Sequence, residues 1–429
     1  MATLALRALL LVVCSHSSAP PPPVTCPCAD PALCRPLSPQ PAPRRELFAF
    51  TAAPATQNIS QWETWPWDKI TTLAPFQCLG PPSGEPGACE KGKVFTPGGP
   101  KHGVGQEMYC KAHAHGARVL TWGYGGWNGT HCPIGEYYKW WITKDPRVHN
   151  ASAVKDWASR CASCVRELGY DGILLDMETI GGPPLGPVLE RTLITTAVCE
   201  LKTALTAAIP GSKLVWTVDT GPYFDFKEMT ERDCVDTWLD MDYSRCASVE
   251  KHSLTSNRAT APVAFTASIV ENFKAKGIPA SRMGIIFPWM GCAYRCSSST
   301  TGSSYGGCSA VESNLVGYPS FGDVIAHYLP NKTSDVFHNT SVQSKYLNYR
   351  GEDGKAMQVW YDDPETLAVK YREALSHGVS ALGMWTADYV CASYESWPAG
   401  SPEQYRCFNE SAAAAMWAAL PTLRVKAQL

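Results

Sequence analysis

The sequence predicts an α/β protein in which eight parallel strands close into a (β/α)8 TIM barrel. Short apolar or β-branched runs recur eight times along the chain, and several follow stretches with helical periodicity. Strands that alternate with helices form parallel sheets, and eight continuous apolar runs fit a closed barrel better than an open doubly wound sheet. No G-x-G-x-x-G motif follows the first run, which removes the main sign of a dinucleotide-binding fold.

The candidate strands are spread over most of the chain. In order they are LFAF from Leu47, ITTLAPF from Ile70, ARVLTWGYG from Ala117, DGILLDME from Asp171, KLVWTVDT from Lys213, TWLDMDY from Thr237, MGIIFPWMG from Met283 and SALGMWT from Ser380. Apolar spacing of three and four residues predicts helices between some of them. One helix face carries Val154, Trp157, Cys161, Val165 and Leu168, and another carries Leu189, Leu193, Val198, Leu201 and Leu205.

Three long segments, 78–106, 122–150 and 292–350, read as irregular because they are rich in Gly, Pro, Ser and Cys. The last two follow the third and seventh strands. In a barrel the loops after the strands build the C-terminal face, so these two segments should shape the mouth of a site there. Their cysteines are expected to pin them as disulfides.

The N-terminus predicts a signal peptide over residues 1–24, followed by a single barrel domain over 25–429. Arg7 precedes an apolar stretch from Ala8 to Cys14, and small residues and prolines come next. That stretch is far shorter than the roughly 20 residues that a spanning helix needs. No later segment is a transmembrane candidate, so no membrane association is expected.

The cysteine content indicates an oxidising compartment. Of the 18 cysteines, removal of Cys14 leaves 17, an odd number that predicts at least one free thiol. CASC at 161–164 could be a redox pair or half a zinc site, but a structural disulfide or core cysteine is favoured. Six N-x-[ST] sequons suggest a glycosylated lumenal or secreted protein. They begin at Asn58, Asn128, Asn150, Asn331, Asn339 and Asn409.

Charge excludes one class of partner. The net charge is −2 and the pI is about 6.6, with no run of Lys and Arg, so the sequence lacks the basic surface of a nucleic-acid-binding protein. No metal or other cofactor is expected, and a monomer is expected.

The stretch YDGILLDMET at 170–179 has the apolar content of a buried strand yet carries three carboxylates. Side chains alternate along a strand, so Leu174, Asp176 and Glu178 should share one face. Two carboxylates this close resist ionising together, so one can hold a proton and act as an acid. The alternative to a catalytic role is structural: the acidic strand end could cap a helix or pair with surface cations. The pattern D-x-E at the end of a barrel strand favours the catalytic role.

DGILLDME resembles the D-x-x-D-x-D-x-E signature of glycoside hydrolase family 18, the chitinase family. Further segments are similar, in the same order, to its chitobiase branch, and the resemblance covers most of the mature chain. They are CPCADPALCRPL from Cys26, KITTLAPF from Lys69, YCKAHAHGARVL from Tyr109, YLNYRGEDGKAMQVWYDDPETL from Tyr346 and GMWTADY from Gly383.

The resemblance implies roles for the carboxylates. Glu178 takes the position of the general acid that protonates the glycosidic oxygen. Asp176 takes that of the carboxylate that orients the N-acetyl group of the sugar, and Asp171 would support Asp176. MDY at 241–243 resembles the M-x-Y-D motif of the family, so Tyr243 would donate its hydroxyl to the acetamido carbonyl.

The resemblance also implies substrate contacts and a reaction. Trp385 would form the aromatic floor under the sugar ring, with Met241 and Trp289 as further contacts. The implied substrates are N-acetylglucosamine glycans joined by β-1,4 bonds, either the chitobiose core of Asn-linked oligosaccharides or chitin oligomers. The acetamido oxygen of the substrate would attack the anomeric carbon, giving an oxazoline and retention of configuration. Chitobiase resemblance points to the lysosome, and secretion is the other option.

Two departures keep an alternative open. Leu174 occupies the second Asp position of the signature, and Ser244 stands where M-x-Y-D ends in Asp, so Asp176 is expected to lack a polar partner on its own strand. A catalytically weakened, chitinase-like lectin is therefore the alternative to a hydrolase. An unrelated barrel enzyme would require the ordered segments to be coincidental.

The segment 122–150 is unusually aromatic. Its tryptophans could be sugar platforms, but buried loop anchors are at least as reasonable. They are Trp122, Trp127, Trp140 and Trp141.

Overall fold

The computed structural model describes residues 26, 28–37, 45–51, 62–75, 103–124, 133–134, 136–137, 140, 143–176, 187–218, 224–241, 259–296, 304–305, 307–309, 315–391 and 409–423. Its strands are β1 (Glu46–Thr51), β2 (Thr72–Pro75), β3 (Arg118–Tyr124), β4 (Gly172–Asp176), β5 (Lys213–Thr217), β6 (Thr237–Met241), β7 (Met283–Pro288), β8 (Cys292–Arg295), β9 (Ser304–Tyr305), β10 (Cys308–Ser309), β11 (Leu315–Gly317), β12 (Phe337–Asn339), β13 (Ser344–Arg350), β14 (Ala356–Tyr361) and β15 (Ala381–Trp385).

The helices lie between and after these strands. They are α1 (Gly103–Ala114), α2 (Ala151–Glu167), α3 (Pro187–Ala208), α4 (Phe226–Glu231), α5 (Val263–Ala275), α6 (Phe321–Asp323), α7 (Pro364–Ser376) and α8 (Glu410–Ala419). Short 3-10 turns occur at Pro31–Cys34, Pro146–His149, Ala280–Arg282 and Ala387–Val390, and a π-helical turn at Val324–Tyr328.

Eight parallel strands close into a TIM barrel in the spatial order β1-β15-β7-β6-β5-β4-β3-β2. These are the eight runs predicted from the sequence, and the predicted fold class is confirmed. Each strand presents alternate residues to the barrel interior and to the surrounding helices. In β4, Leu174 belongs to the interior cluster, whereas Ile173 and Leu175 belong to the cluster shared with the helices. The predicted alternation along DGILLD is therefore correct.

The predicted helices pack on the outside of the barrel through the expected faces. Val154, Trp157, Cys161 and Val165 of α2 are buried. Leu193, Val198, Leu201 and Leu205 of α3 are buried as well.

The segment 292–350 is not an irregular loop. It supplies most of a five-stranded antiparallel sheet in the order β11-β8-β14-β13-β12, which follows β7 along the chain. Strands β13 and β14 form its central hairpin, with Leu347 paired to Val359 and both side chains buried in the main core. The remaining strands of this sheet have three or four residues each, too few for alternation to stand out against the surrounding Gly, Ser and Cys.

Disulfides tie the segments of the fold together. Four bonds join described residues: Cys26–Cys34, Cys28–Cys110, Cys199–Cys234 and Cys296–Cys308. The last links the ends of β8 and β10, so the predicted pinning of that segment is observed.

The two cysteines of CASC have different states. Cys164 is in a disulfide, whereas Cys161 is free and buried in the core, where burial raises the pKa of its thiol. The pair is therefore neither a redox motif nor a zinc ligand set, and the predicted free thiol is present.

Among the described helices, none has the length and apolar character to span a bilayer. The predicted signal peptide, residues 1–24, lies outside the described residues.

Candidate active site

Four inward-facing positions meet at the C-terminal end of the barrel. Asp176, Thr217, Met241 and Trp385 are the last residues of β4, β5, β6 and β15. In the closed order of eight strands, β4 and β15 lie opposite each other. Asp176 and Trp385 therefore border the barrel mouth from opposite sides, on the face where barrel enzymes place their active sites.

Asp176 is held by the neighbouring strand. The residue is 4% exposed, and the Thr217 hydroxyl lies 2.8 Å from its Oδ1. The pairing of β4 with β5 sets this contact, since the register places Asp176 beside Thr217. The same hydroxyl lies 3.1 Å from the carbonyl oxygen of Leu175.

This geometry lets Thr217 serve Asp176 in either protonation state. A hydroxyl has one proton to donate, and the Leu175 carbonyl can only accept. When Asp176 is ionised, Thr217 donates to the carboxylate. When Asp176 is protonated, the carboxyl can donate to Thr217, whose own proton then turns to Leu175. The strand end can therefore hold a carboxyl group that gains and loses a proton while its neighbour stays hydrogen-bonded.

Leu174 lies one interior position below Asp176, in an apolar layer of the barrel. It is buried in the interior cluster beside Leu120 of β3 and Val215 of β5. As expected, Leu174 gives Asp176 no polar partner on its own strand, but Thr217 supplies one from the adjacent strand. Sequence reasoning missed Thr217, although its place at the end of the run KLVWT was a usable signal.

Trp385 and Met241 form an apolar border around the mouth. Both are partly buried and pack against the interior cluster. The Trp385 ring also contacts Phe50, with ring centroids 5.7 Å apart. A partly exposed indole at a barrel strand end is suited to the C–H face of a sugar ring.

Three residues of the predicted motifs lie outside the described residues. Glu178 follows the end of β4 by two positions, and Tyr243 follows the end of β6 by two positions. Ser244 comes next in the chain. Their assignments therefore rest on the sequence.

The structure corrects the prediction that Asp171 supports Asp176. Asp171 precedes β4 and Asp176 ends it, so the two lie at opposite ends of the strand, and alternation turns them to opposite faces. The Asp171 carboxylate instead accepts hydrogen bonds from the backbone N–H groups of Leu37 and Val119, both at 2.6 Å. It also lies 2.9 Å from Nε2 of His113.

This carboxylate anchors the N-terminal segment to the barrel. Nδ1 of His113 lies 2.7 Å from the Leu33 carbonyl, which can only accept. His113 therefore bridges the Leu33 carbonyl and the Asp171 carboxylate. Burial and the Asp171 charge raise the pKa of the nearby Tyr109, whose hydroxyl donates to the Gly169 carbonyl. Asp171 is thus a structural residue.

The structure also corrects the prediction that Trp289 binds substrate. Trp289 is 1% exposed and lies in the core shared with the helices. Its indole N–H donates to the Tyr371 hydroxyl at 3.0 Å, and its ring packs edge-on against Trp417. Neither its face nor its polar edge reaches the barrel mouth.

Of the loop tryptophans, Trp140 is a buried anchor. It packs against Tyr137, and the Arg147 guanidinium lies 4.5 Å from its ring centroid. Trp122 lies on β3, and its side chain is outside the described part of the structure. Trp127 and Trp141 lie outside the described residues.

Four predicted glycosylation sites fall within the described residues. Asn150, Asn331 and Asn409 are exposed, and Asn339 is half-buried. Asn150 and Asn409 cap helices through Oδ1, which leaves Nδ2, the atom that carries an N-linked glycan, out of the cap. Asn58 and Asn128 lie outside the described residues.

Within the described part of the chain, one group of side chains is close enough to share a metal ion: Cys26, Cys28 and Cys34. Their sulfurs are already joined in disulfides, and they lie away from the strand ends of the candidate site. The described residues of the site supply no further set of metal ligands.

No protein-family model matches the chain. Along most of its length it is similar to di-N-acetylchitobiases. The alignment with the di-N-acetylchitobiase of Mus musculus has 24% identity over 389 residues and covers 86% of this chain and 88% of the relative. The alignment with the di-N-acetylchitobiase of Homo sapiens has 24% identity over 386 residues and covers 86% of this chain and 83% of the relative. The resemblance carried by the motifs is therefore found along the chain as a whole.

Solved structures share the fold. A family 18 chitinase from Cycas revoluta, determined in complex with (GlcNAc)3, superposes with a TM-score of 0.54 at 19% identity, over 80% of this chain and 95% of that one. The C-terminal domain of a putative chitinase from Desulfitobacterium hafniense has a TM-score of 0.57 at 14% identity, over 87% and 98%. At these identities the likeness establishes the barrel fold.

Proposed function

We propose, from the similarity to di-N-acetylchitobiases, that this chain is a retaining glycoside hydrolase that cleaves β-1,4 bonds of N-acetylglucosamine glycans. The similarity spans most of both proteins. The chitobiose core of Asn-linked oligosaccharides and short chitin oligomers are the proposed substrates. No cofactor takes part in this reaction.

The proposed reaction uses the substrate's own acetamido group as nucleophile. Glu178 protonates the glycosidic oxygen while the acetamido oxygen attacks the anomeric carbon, which forms an oxazoline and releases the leaving sugar. Water, with Glu178 as its base, then attacks the anomeric carbon from the face that the leaving sugar vacated. This opens the oxazoline and retains the configuration. Asp176 and Tyr243 hold the acetamido group in the attacking orientation, and Trp385 supports the sugar ring.

The observation that carries the proposal is the hydrogen bond between Thr217 and Asp176 at the end of β4. As the acetamido group becomes an oxazolinium, Asp176 stabilises the developing positive charge. A carboxyl in this role benefits from a neighbour that stays paired whether or not the carboxyl is protonated. The Thr217 hydroxyl, placed between Asp176 and the Leu175 carbonyl, is such a neighbour.

Four disulfides among the described residues and three exposed sequons support an oxidising location. The proposed enzyme is a glycosylated monomer of the lysosome or the extracellular space.

Hydrolysis of chitobiose and chitotriose by the purified protein tests the proposal. We expect both to be cleaved with retention, and analogues with a free amine or hydroxyl at C2 to resist cleavage, because they lack the nucleophile. A thiazoline mimic of the intermediate should inhibit competitively. Efficient cleavage of plain glucosides would contradict the mechanism, and binding of both oligomers without cleavage would identify a lectin.

A further inference from the structure

A cleft of about 970 Å3 opens at the N-terminal end of the barrel. Arg118 at the start of β3 and Lys213 at the start of β5 line it, together with residues of α3 and of the turn after α4. The Cys199–Cys234 disulfide joins these last two segments and forms part of the wall. Lys213 and Asp176 lie four residue pairs apart along β4 and β5, or about 13 Å, so the cleft is separate from the candidate active site.

Two cations in this cleft share a single carboxylate among the described residues. Arg118 is only 9% exposed, and the Lys213 side chain is 17% exposed. Neither side chain donates a hydrogen bond within the ranges that the structure describes. Glu46 is the carboxylate near both, with Oε1 3.7 Å from Arg118 Nη1 and 3.5 Å from Lys213 Nζ. No nitrogen of either side chain is among the fully buried, unpartnered polar atoms of the described residues, so these donors reach the cleft and are available to an outside acceptor.

The other charges of the cleft are paired. Lys202 Nζ lies 2.6 Å from Asp236 Oδ2, and Arg282 pairs with Asp233. Arg232 donates to Glu228, its neighbour one turn away, at 2.8 Å. Arg118 and Lys213 thus share the single charge of Glu46, which is not among the residues that line the cleft. An excess of positive charge faces the opening.

We propose that this cleft binds the oxyanion group, a phosphate or a carboxylate, of a small organic molecule, with Arg118 and Lys213 as its ligands. A guanidinium presents paired donors that match the spacing of oxyanion oxygens, and the lysine adds a point charge. The volume lies in the range of small-molecule sites, roughly 300–1,000 Å3, and exceeds what a bare ion would fill. The proposal does not depend on the glycosidase activity.

Thermal unfolding of the full chain with added anions tests the proposal. The probes are inorganic phosphate, glucose 6-phosphate and N-acetylneuraminic acid, each compared with sodium chloride at equal ionic strength. Because a ligand of the folded state stabilises it by mass action, we expect a saturable rise in Tm with phosphate and a larger one with an organic anion. The better organic probe tells phosphate from carboxylate. Equal Tm values in all salts, or a response to inorganic phosphate alone, would overturn the small-molecule assignment.

Variants locate the site. By calorimetric titration of the better probe, Arg118→Gln should weaken binding about tenfold or more, because a charged hydrogen-bond donor is lost. Glu46→Gln should tighten binding several-fold, because it removes the competing charge. Arg232→Gln, at the same cleft but with its own partner, is the control and should bind within about twofold of the parent. Lys213→Gln replaces Arg118→Gln if the latter does not fold, and parental affinity in either variant would refute the assignment.

Discussion

Replacement of Thr217 by valine should slow hydrolysis while the barrel stays folded. Valine keeps the branched shape but lacks the hydroxyl that lies 2.8 Å from Asp176 Oδ1. A hydrogen bond to a charged group contributes about 1.5–3 kcal/mol. If that whole contribution acts on the transition state, kcat should fall about 10- to 150-fold, since roughly 1.36 kcal/mol corresponds to a factor of ten in rate.

Steady-state hydrolysis of chitotriose, with kcat and KM determined separately, measures this effect. Thr217→Ser retains the hydroxyl and is the matched control, expected within a few-fold of the parent. Tm of the valine variant should fall below that of the serine variant, because the buried Asp176 carboxyl loses the Thr217 hydroxyl, so kcat is compared at a temperature at which both variants are fully folded. A Thr217→Val enzyme with parental kcat would refute the reasoning, as would a serine variant slowed as much as the valine variant.

Three further substitutions test the packing of the fold by chemical denaturation. Leu174→Asn should destabilise the fold by about 2–4 kcal/mol, because it places an amide in the apolar barrel layer, whereas Leu174→Met should cost less than about 1.5 kcal/mol; equal costs would contradict this packing. Asp171→Asn should cost about 2–4 kcal/mol, since one amide oxygen cannot replace a carboxylate that is contacted by three partners. It should also expose the N-terminal segment to protease, and unchanged resistance of that segment to cleavage would argue against the anchor. Lys370→Met should cost about 3–5 kcal/mol, because it strands the buried carboxylate of Asp362, 2.6 Å from Lys370 Nζ. Adding Asp362→Leu should recover most of that loss, and no recovery would show that the ion pair is not its source.

The barrel could be predicted from the sequence because its physical requirements repeat. Each interior strand is buried on both faces and therefore appears as a continuous apolar run. The position of Asp176 followed from the same pattern, since a carboxylate at the end of such a run reaches the C-terminal face. Alternation along β4 also placed Leu174 below it.

The errors at Asp171 and Trp289 have a common physical cause. Asp171 was assigned from the motif and Trp289 from the wider resemblance, whereas the strand geometry turns each away from the barrel interior. Asp171 is five positions from Asp176, an odd spacing that puts the two on opposite faces. Trp289 follows β7 by one residue and is three positions from Ile286, which faces the interior, so the same rule directs its ring to the helices.

Other features depend on contacts between distant parts of the chain. The end of the run KLVWT marks Thr217 as a residue of the C-terminal face, but its contact with Asp176 also depends on the register of β4 and β5, which a single sequence does not reveal. The sheet within 292–350 is formed by short strands that are stabilised by their neighbours rather than by their own pattern. The hairpin of β13 and β14 was not predicted either, although its two runs flank the turn sequence GEDGK.

Turnover of chitobiose by the purified parent chain and its Glu178→Gln variant tests the proposed hydrolysis most directly. Glutamine keeps the shape and much of the hydrogen bonding of glutamate but has no acidic proton to give the leaving oxygen. We expect the parent to cleave chitobiose with retention, and the variant to bind it with similar affinity while kcat falls by roughly 10²–10⁴. A variant as active as the parent, or a parent that binds chitobiose without cleaving it, would contradict the account.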